Sequence, residues 1–373
     1  MTEQMGFKPP PYPYDRLDEL KPLGAHHRGG IVDCSIGTPI DAPPPAVVAA
    51  LGGSDSERGY PPSIGTPEFR ETVSGWIASR LGCEVDPNDE IAAAVGTKEF
   101  VVGLPHWMKL RRPDRDTVLY PAVSYPSYEM GAILAGCRAV PVPVDEDWSI
   151  RLDAISDEDR ARALLLWVNT PGNPAGGLDD LEAAAAWGRT HQIPVFSDEC
   201  YCEFTWEGPP RTILSAGTQG VVAVHSLSKR SNLAGVRVGF YAGDPELVDY
   251  LREVRKHAGF MVPGPAQAAA IAALLDQEHV DKQRDTYLDR LRRLATMMET
   301  MGVKATVPRG GFYLWLPAPG GDAWGFTRQL VKQIGLLASP GEFYGSAATD
   351  YVRIAAVQPD DKIGLLEQRL ATS

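Results

Sequence analysis

Two short segments combine an acid, a phenol, an amine and a guanidinium, each directly after an apolar run. Val195-Phe196-Ser197 leads into Asp198-Glu-Cys-Tyr201. Val221-Val222-Ala223-Val224 leads into Ser226-Leu-Ser-Lys229, with Arg237 beyond. Parallel strands deliver the residues that follow them to one rim, and open α/β sheets bind their ligands there. A lysine held at that rim among apolar neighbours can lose its proton and attack a carbonyl. An acid and an arginine at the same rim suit a ligand with a basic ring nitrogen and a phosphate. Pyridoxal phosphate is such a ligand.

Each residue also has a plainer reading. Lys229 alone is a surface lysine after a buried strand, and Asp198 alone is a helix N-cap. Tyr201 alone is a packed aromatic, although one helical turn would set it on the same side as Asp198. Asn169-Thr-Pro-Gly-Asn173-Pro-Ala-Gly176 follows the apolar run Leu164–Val168. It reads either as a tight loop or as a means of bringing the Asn173 amide to the rim. Gly96-Thr97-Lys98 opens a helix whose free N–H groups suit phosphate, but the glycine spacing of a Walker loop is missing. Three tyrosines in Tyr120–Tyr128 offer an aromatic to stack on a flat ring, or cap the core. Arg353, inside the apolar run Tyr351-Val-Arg-Ile-Ala, needs a partner. A substrate carboxylate would serve, and so would a structural salt bridge.

The surrounding pattern is that of an α/β protein. From residue 91 onward, strands expected at 91–95, 117–120, 138–144, 163–168, 193–197, 221–225 and 236–241 alternate with helices at 98–110, 127–135, 178–191 and 245–256. This implies crossover units and a mainly parallel sheet. Pro105 is expected to kink its helix. Upstream, Pro43-Pro44-Pro45 opens a helix over 46–51. Thr66-Pro67-Glu68 opens another, with Thr66 as N-cap, that ends at Leu81-Gly82. Past Gly264-Pro265 the texture changes to long helical patterns over 266–300. Short strands at 303–307, 311–316 and 351–356 and a helix at 324–334 follow. The expected division is a large domain at 40–264 and a smaller α+β domain built from 1–39 and 265–373.

Composition narrows the function classes. The chain has 373 residues with 44% hydrophobic content; 36 Lys and Arg against 48 Asp and Glu give a net charge of −12. That balance argues against nucleic acid as the main partner. No run approaches the length of a membrane span, and no secretory leader is expected. The five scattered cysteines fit a reducing cytoplasm and complete no metal site.

The markers Gly37-Thr-Pro39, Gly59-Tyr60, Gly96-Thr-Lys98, the tyrosine cluster, Asn173-Pro-Ala-Gly176, Asp198-x-x-Tyr201, Ser226-x-Ser-Lys229, Arg237 and Arg353 run in one order over nearly the whole chain. In this the chain resembles the class I/II aminotransferases of pyridoxal-phosphate fold type I. The resemblance implies that Lys229 joins the cofactor covalently and Asp198 faces its pyridine nitrogen. It implies that Asn173 and Tyr201 bond the ring hydroxyl and Tyr125, or else Tyr128, stacks on the ring. Gly96, Thr97, Lys98, Ser226, Ser228 and Arg237 would grip the phosphate. Tyr60 would reach the phosphate of a neighbouring subunit, hence a homodimer with shared sites. Arg353 would clamp the substrate α-carboxylate, with Gly37 lining the substrate side.

Leu17-Asp-Glu-Leu-Lys-Pro-Leu, Gly59-Tyr-Pro-Pro-Ser-Ile-Gly-Thr-Pro, Gly96-Thr-Lys-Glu and Leu104-Pro-His-Trp are similar, more narrowly, to the actinobacterial succinyldiaminopimelate aminotransferases of lysine biosynthesis. The expected reaction moves an amino group from glutamate to N-succinyl-2-amino-6-oxopimelate. The second arginine that aspartate aminotransferases use for a side-chain carboxylate has no counterpart here, which leaves distal recognition open. The alternatives are a transaminase for aromatic, branched or aspartate substrates, a β-elimination lyase, and a non-catalytic ligand-binding protein of the same fold. A nicotinamide dehydrogenase would need a Gly-x-Gly-x-x-Gly after its first strand, and there is none.

Overall fold

The computed structural model describes residues 6–53 and 55–372. The start of the N-terminal arm, residues 1–5, lies outside the described residues. The arm continues into 3-10 turns at Pro13–Gly24, followed by β1 (Val32–Asp33), α1 (Pro45–Gly53) and α2 (Pro67–Trp76). As expected, Thr66 caps α2, its hydroxyl accepting the Phe69 N–H at 3.2 Å, and the turn closes at Gly82 in the left-handed region.

Seven strands form the main sheet: β2 (Ile91–Ala94), β3 (Thr117–Pro121), β4 (Arg138–Val142), β5 (Ala163–Asn169), β6 (Val195–Asp198), β7 (Val221–Ser226) and β8 (Gly239–Gly243). Their order is β2-β8-β7-β6-β5-β3-β4. Pairings from β7 through β4 are parallel, and only β8 runs antiparallel to both its neighbours. The crossovers carry α3 (Thr97–Arg111), α4 (Ser127–Leu134), α5 (Asp157–Arg162), α6 (Leu181–His191) and α7 (Leu227–Arg230), and α8 (Pro245–His257) follows β8. All seven residues of β5 are buried, as a central parallel strand covered on both faces requires. Leu166 and Val168 pack into the core on one face; Leu165 and Trp167 pack with Phe100, Phe196 and Tyr241 on the other.

The remainder of the chain supplies α9 (Gly264–Leu275), α10 (Glu278–Thr300), β9 (Tyr313–Pro317), α11 (Ala323–Ile334), β10 (Leu336–Leu337), β11 (Ser339–Pro340), β12 (Tyr351–Ala355) and α12 (Asp360–Ala371). Strands β11, β12 and β9 make an antiparallel sheet, and β1 pairs with β10. A separate core of Leu291, Leu314, Leu316, Leu330, Val352 and Ile354 lies beneath it. Tyr14, Leu17 and Leu20 of the arm pack on Val331, Leu337, Phe343 and Tyr344.

Several expected elements differ. Residues 303–307 form no strand: Val303 and Ala305 are buried in the second core without pairing to a neighbour. The run 236–241 becomes a strand only at Gly239, because Arg237 adopts a left-handed conformation (φ 59°). The helix expected from 178 starts at Leu181, after Asp180 caps it by accepting the Ala183 N–H at 2.9 Å. The 266–300 pattern is two helices, broken at Asp276-Gln277.

One ion pair anchors the start of α3. Arg255, 2% exposed at the end of α8, donates both Nη groups to the Glu99 carboxylate at 2.7 Å and lies over the rings of Phe100 and Phe260. Removing one partner of such a pair strands the other charge. Arg255→Met should therefore lower the unfolding free energy by about 2–4 kcal/mol, since Glu99 keeps some solvent, as read from urea denaturation.

Candidate active site

The carboxyl ends of the parallel strands open onto a cavity of about 500 Å³. Strand register places Asn169 at the tip of β5 beside Asp198 at the tip of β6. The Asn169 side chain donates to the Asp198 carbonyl at 2.9 Å and accepts the Asn173 N–H at 2.8 Å, so one amide orders both strand ends. Behind them the buried Asp179 carboxylate accepts from the Ile150 N–H and the Thr170 hydroxyl. Burial pushes its pKa up to about 6 against those hydrogen bonds.

Asp198 accepts from the Tyr128 hydroxyl at 2.7 Å and from the Cys200 N–H at 3.2 Å. Burial raises its pKa, and these hydrogen bonds oppose the rise. Tyr128 is 1% exposed and its ring packs on Trp167. Both tyrosines line the cavity, Tyr125 as a half-buried ring.

Lys229 sits in the short α7, which Ser226 caps by accepting the Ser228 N–H at 3.1 Å. Its amine donates to the Gly37 carbonyl oxygen. Burial pushes the Lys229 pKa down to about 8; Arg353 and Arg237 act the same way, while Cys200 and Asp198 oppose them. A side chain at Gly37 would collide with the Tyr313 hydroxyl, so the close approach of that backbone requires glycine.

Ser226, Ser228, Thr97 and Arg237 line another part of the cavity wall. The Arg237 guanidinium packs so tightly over Gly96 (φ 72°) that a Cβ there would overlap it. The Cys200 thiol meets the Thr97 hydroxyl at 3.3 Å. Lys98 also lines the cavity, but its ammonium bonds the Tyr12 hydroxyl at 3.4 Å.

Arg353 is 1% exposed. It donates to Asn173 Oδ1 at 2.7 Å, to the Ser35 carbonyl and to the Tyr14 hydroxyl, and lies 4.2 Å over the Tyr313 ring. It forms no ion pair with any described residue, and its Nε has no partner. The structural salt bridge is thereby set aside. Tyr201 exchanges a 2.8 Å hydrogen bond with Tyr313 and receives the Asn173 amide at 3.5 Å. Burial above all holds its phenol well above the ordinary pKa. Tyr60 does not line this cavity and is 94% exposed.

The family model for class I and II aminotransferases matches residues 30–367. The chain belongs to that family. The chain is 39% identical to the 4-dedimethylamino-4-oxo-anhydrotetracycline transaminase OxyQ of Streptomyces rimosus, over 97% of this chain and 99% of that protein. It is 32% identical to the LL-diaminopimelate aminotransferase of Aquifex aeolicus, over 95% and 94%. Among solved structures, a probable N-succinyldiaminopimelate aminotransferase from Thermus thermophilus superposes with a TM-score of 0.85 at 30% identity, over 96% of this chain and 100% of that one.

Class I and II aminotransferases use pyridoxal 5′-phosphate, and the donor set of this aminotransferase fits it. A carboxylate meets the need of a pyridinium, and an amine of depressed pKa the need of an aldehyde. Hydroxyls, a helix N-terminus and a guanidinium without a carboxylate partner suit a phosphate. Sequence reasoning missed Asn169, Tyr12, Tyr14, Cys200 as a wall residue and Tyr313. Tyr313 lies in a run that reads as core, and Tyr12 and Tyr14 lie in a proline-rich arm; no local pattern in either announces a cavity.

Only a neutral amine attacks a carbonyl carbon, so the depressed pKa sets a pH profile. Reductive methylation of Lys229 in the apoprotein, followed by peptide mass spectrometry, should rise about tenfold per pH unit below about 8 and level off above it. An ordinary lysine would keep rising to about 10.4.

Proposed function

We propose that this aminotransferase exchanges an amino group between glutamate and a 2-oxo acid, with N-succinyl-2-amino-6-oxopimelate as the acceptor. The observation that carries the amino-acid reading is Arg353, a buried guanidinium with no acidic partner in the same cavity as Lys229 and Asp198. A carboxylate bound there gains charge-assisted, bidentate contacts that no described residue supplies. The succinylated acceptor is supported by the Thermus structure and by the diaminopimelate aminotransferases among the relatives. The OxyQ relative favours a second reading, amination of a ring ketone.

Bound pyridoxal phosphate supplies a protonated pyridine ring that withdraws electrons from the substrate Cα. The chain's residues do the rest. Asp198, oriented by Tyr128 and the Cys200 N–H, keeps the ring nitrogen protonated. Asn173 and Tyr201 would hold the ring oxygen, and Tyr125 would cover one ring face, since Tyr128 is engaged with Asp198. Ser226, Ser228, Thr97, Arg237 and the backbone N–H groups that follow Gly96 hold the phosphate. Lys229 would hold the cofactor aldehyde and, as an amine of depressed pKa, would move a proton at the substrate Cα, a role worth roughly 10²–10⁴-fold. Gly37 presents its carbonyl on the substrate side, and Arg353 binds the α-carboxylate.

In this reading residues 40–264 carry the cofactor, and 1–39 with 265–373 form a smaller domain. The protein works as a homodimer in which Tyr60 reaches the partner's phosphate. Tyr60, Val48 and Leu275 are exposed, at 94%, 50% and 73%, as suits a surface that a second copy covers. A cytoplasmic location accords with five free cysteines. No helix among the described residues is long and apolar enough to cross a membrane.

Purified holoprotein mixed with glutamate should lose its visible cofactor absorbance and regain it when the succinylated oxopimelate is added. Lys229→Ala should turn over at least about 100-fold more slowly and should not yield a cofactor-labelled peptide after borohydride reduction. Undiminished turnover by that variant would sink the assignment. Recovery with a ring ketone but with no 2-oxo acid would select the second reading.

A further inference from the structure

The segments that supply the cavity also supply a second polar cluster behind it. Asp198, Tyr201, Ser226 and Lys229 line the cavity; their neighbours Glu199, Cys202, Glu203, His225 and Arg230 do not, yet all five are buried. Successive strand residues point to opposite faces. His225 therefore follows Val221 and Ala223 to the face where Trp76 and Phe240 pack, and Ser226 follows Val222 and Val224 to the face of Phe100 and Tyr128. In the rear cluster Glu203 accepts from Trp76 Nε1 at 3.2 Å and from Arg80 at 2.9 Å. Glu199, 0% exposed, accepts the Ile213 N–H at 2.7 Å with one oxygen, and its other oxygen lies 3.2 Å from His225 Nε2. Neither of those last two atoms has another partner among the described residues. The His225 ring stacks on Phe240 with centroids 5.0 Å apart and meets the Trp76 ring edge-on. Strands β6 and β7 pair with Asp198 opposite Val224, and the Glu199 N–H donates to the Val224 carbonyl at 2.9 Å. From there β6 turns toward Tyr201 and β7 enters α7. The Glu199–His225 contact thus ties the two strand tips where their ladder ends. His225 also acts on Asp198 through space: burial raises the Asp198 pKa, and His225 is among the groups that oppose the rise.

We propose that Glu199 and His225 are positioning residues of the cofactor site, whose contact behind the sheet fixes the strand tip carrying Asp198 against the strand tip carrying Ser226. This inference rests on the aminotransferase reading of the cavity. In that reading Asp198 meets the ring nitrogen and Ser226 the phosphate of one stiff ligand. Such a ligand binds most tightly to donors already held at its own spacing, because no ordering cost remains to be met on binding. A carboxylate as buried as Glu199 is held in place by the few donors that reach it. Here those donors are the start of the turn at Ile213 and the imidazole of the next strand.

The test uses Glu199→Gln, which keeps an acceptor for the Ile213 N–H, His225→Phe, which keeps the ring contacts and removes the nitrogens, and the double variant. Each is made in the full-length chain with Asp198 present and again with Asp198→Ala. Pyridoxal phosphate affinity is measured by titrating each apoprotein, the half-reaction with glutamate by the loss of cofactor absorbance, and apoprotein stability by urea denaturation. With Asp198 present, each single substitution should weaken cofactor affinity about tenfold and slow the half-reaction about 10- to 100-fold. The double variant should lose no more than the worse single one, since the two side chains act as a unit. With Asp198→Ala, the same substitutions should change cofactor affinity less than about threefold, because no second donor is left to be held in place. Should His225→Phe not fold, Glu199→Gln in the two backgrounds decides alone. Equal losses of affinity with and without Asp198 would overturn the proposal and leave the pair a packing role only. Unchanged affinity and rate with Asp198 present would overturn it as well. Should wild type leave glutamate unconverted, the aminotransferase reading fails, and the cofactor titrations still decide the role of the pair.

Discussion

Keeping one lysine amine dry and unpaired is the constraint that organises this molecule. An amine that found a carboxylate would stay protonated, and an amine in water would titrate near its ordinary value. Lys229 is denied both. Its hydrogen bond goes to the Gly37 carbonyl, which carries no charge to offer it. The one acid among the described residues of the cavity wall, Asp198, is already bonded to Tyr128 and the Cys200 N–H. Two guanidiniums, Arg353 and Arg237, disfavour the charged form further. The same arrangement leaves the cavity rich in positive charge. On the proposed function, ligands bring phosphate and carboxylate to balance that charge.

The scaffold meets this constraint through parallel strands that end together. Asn169 and Asp198 are register partners, and the next strand carries Ser226 to the start of the helix that holds Lys229. The antiparallel β8 then returns the chain so that Arg237 lies against Gly96. The remaining wall comes from the other side of the molecule. Arg353 and Tyr313 lie on β12 and β9, paired strands of the small antiparallel sheet, and Tyr12, Tyr14 and Gly37 come from the amino-terminal segment. A cluster of Cys200, Tyr201, Phe204, Tyr287, Phe312, Tyr313, Ala355 and Val357 joins the two sides by apolar contact. The polar cavity therefore sits on a hydrophobic seam.

Much of the large sheet was legible because its strands are continuous apolar runs separated by capped helices. Legibility failed where tertiary contacts overrode local pattern. Residues 303–307 have strand composition, yet they bury Val303 and Ala305 without a partner strand. The short strands at 336–337 and 339–340 have no readable length, and they exist because β1 and β12 lie beside them. At the site, residues in compact motifs were found: Asp198, Tyr201, Asn173, Ser226, Lys229. Arg237 and Arg353 arrive singly and were named too, whereas Tyr12, Tyr14 and Tyr313 were not. Tyr128 reads as one of three tyrosines until the fold sets its hydroxyl on Asp198.

The order of acid, phenol, serines and lysine after apolar strands pointed, without any coordinates, to the fold class and the cofactor, and named the amine proposed to meet it. Periodicity and spacing are local properties, and these features are local. Which charges remain unpartnered is not local, for it depends on what every other element brings within a few ångströms. Only the folded chain decided that Arg353 has no acid among the described residues, that Tyr128 orients Asp198, and that Lys98 leans toward the arm's Tyr12.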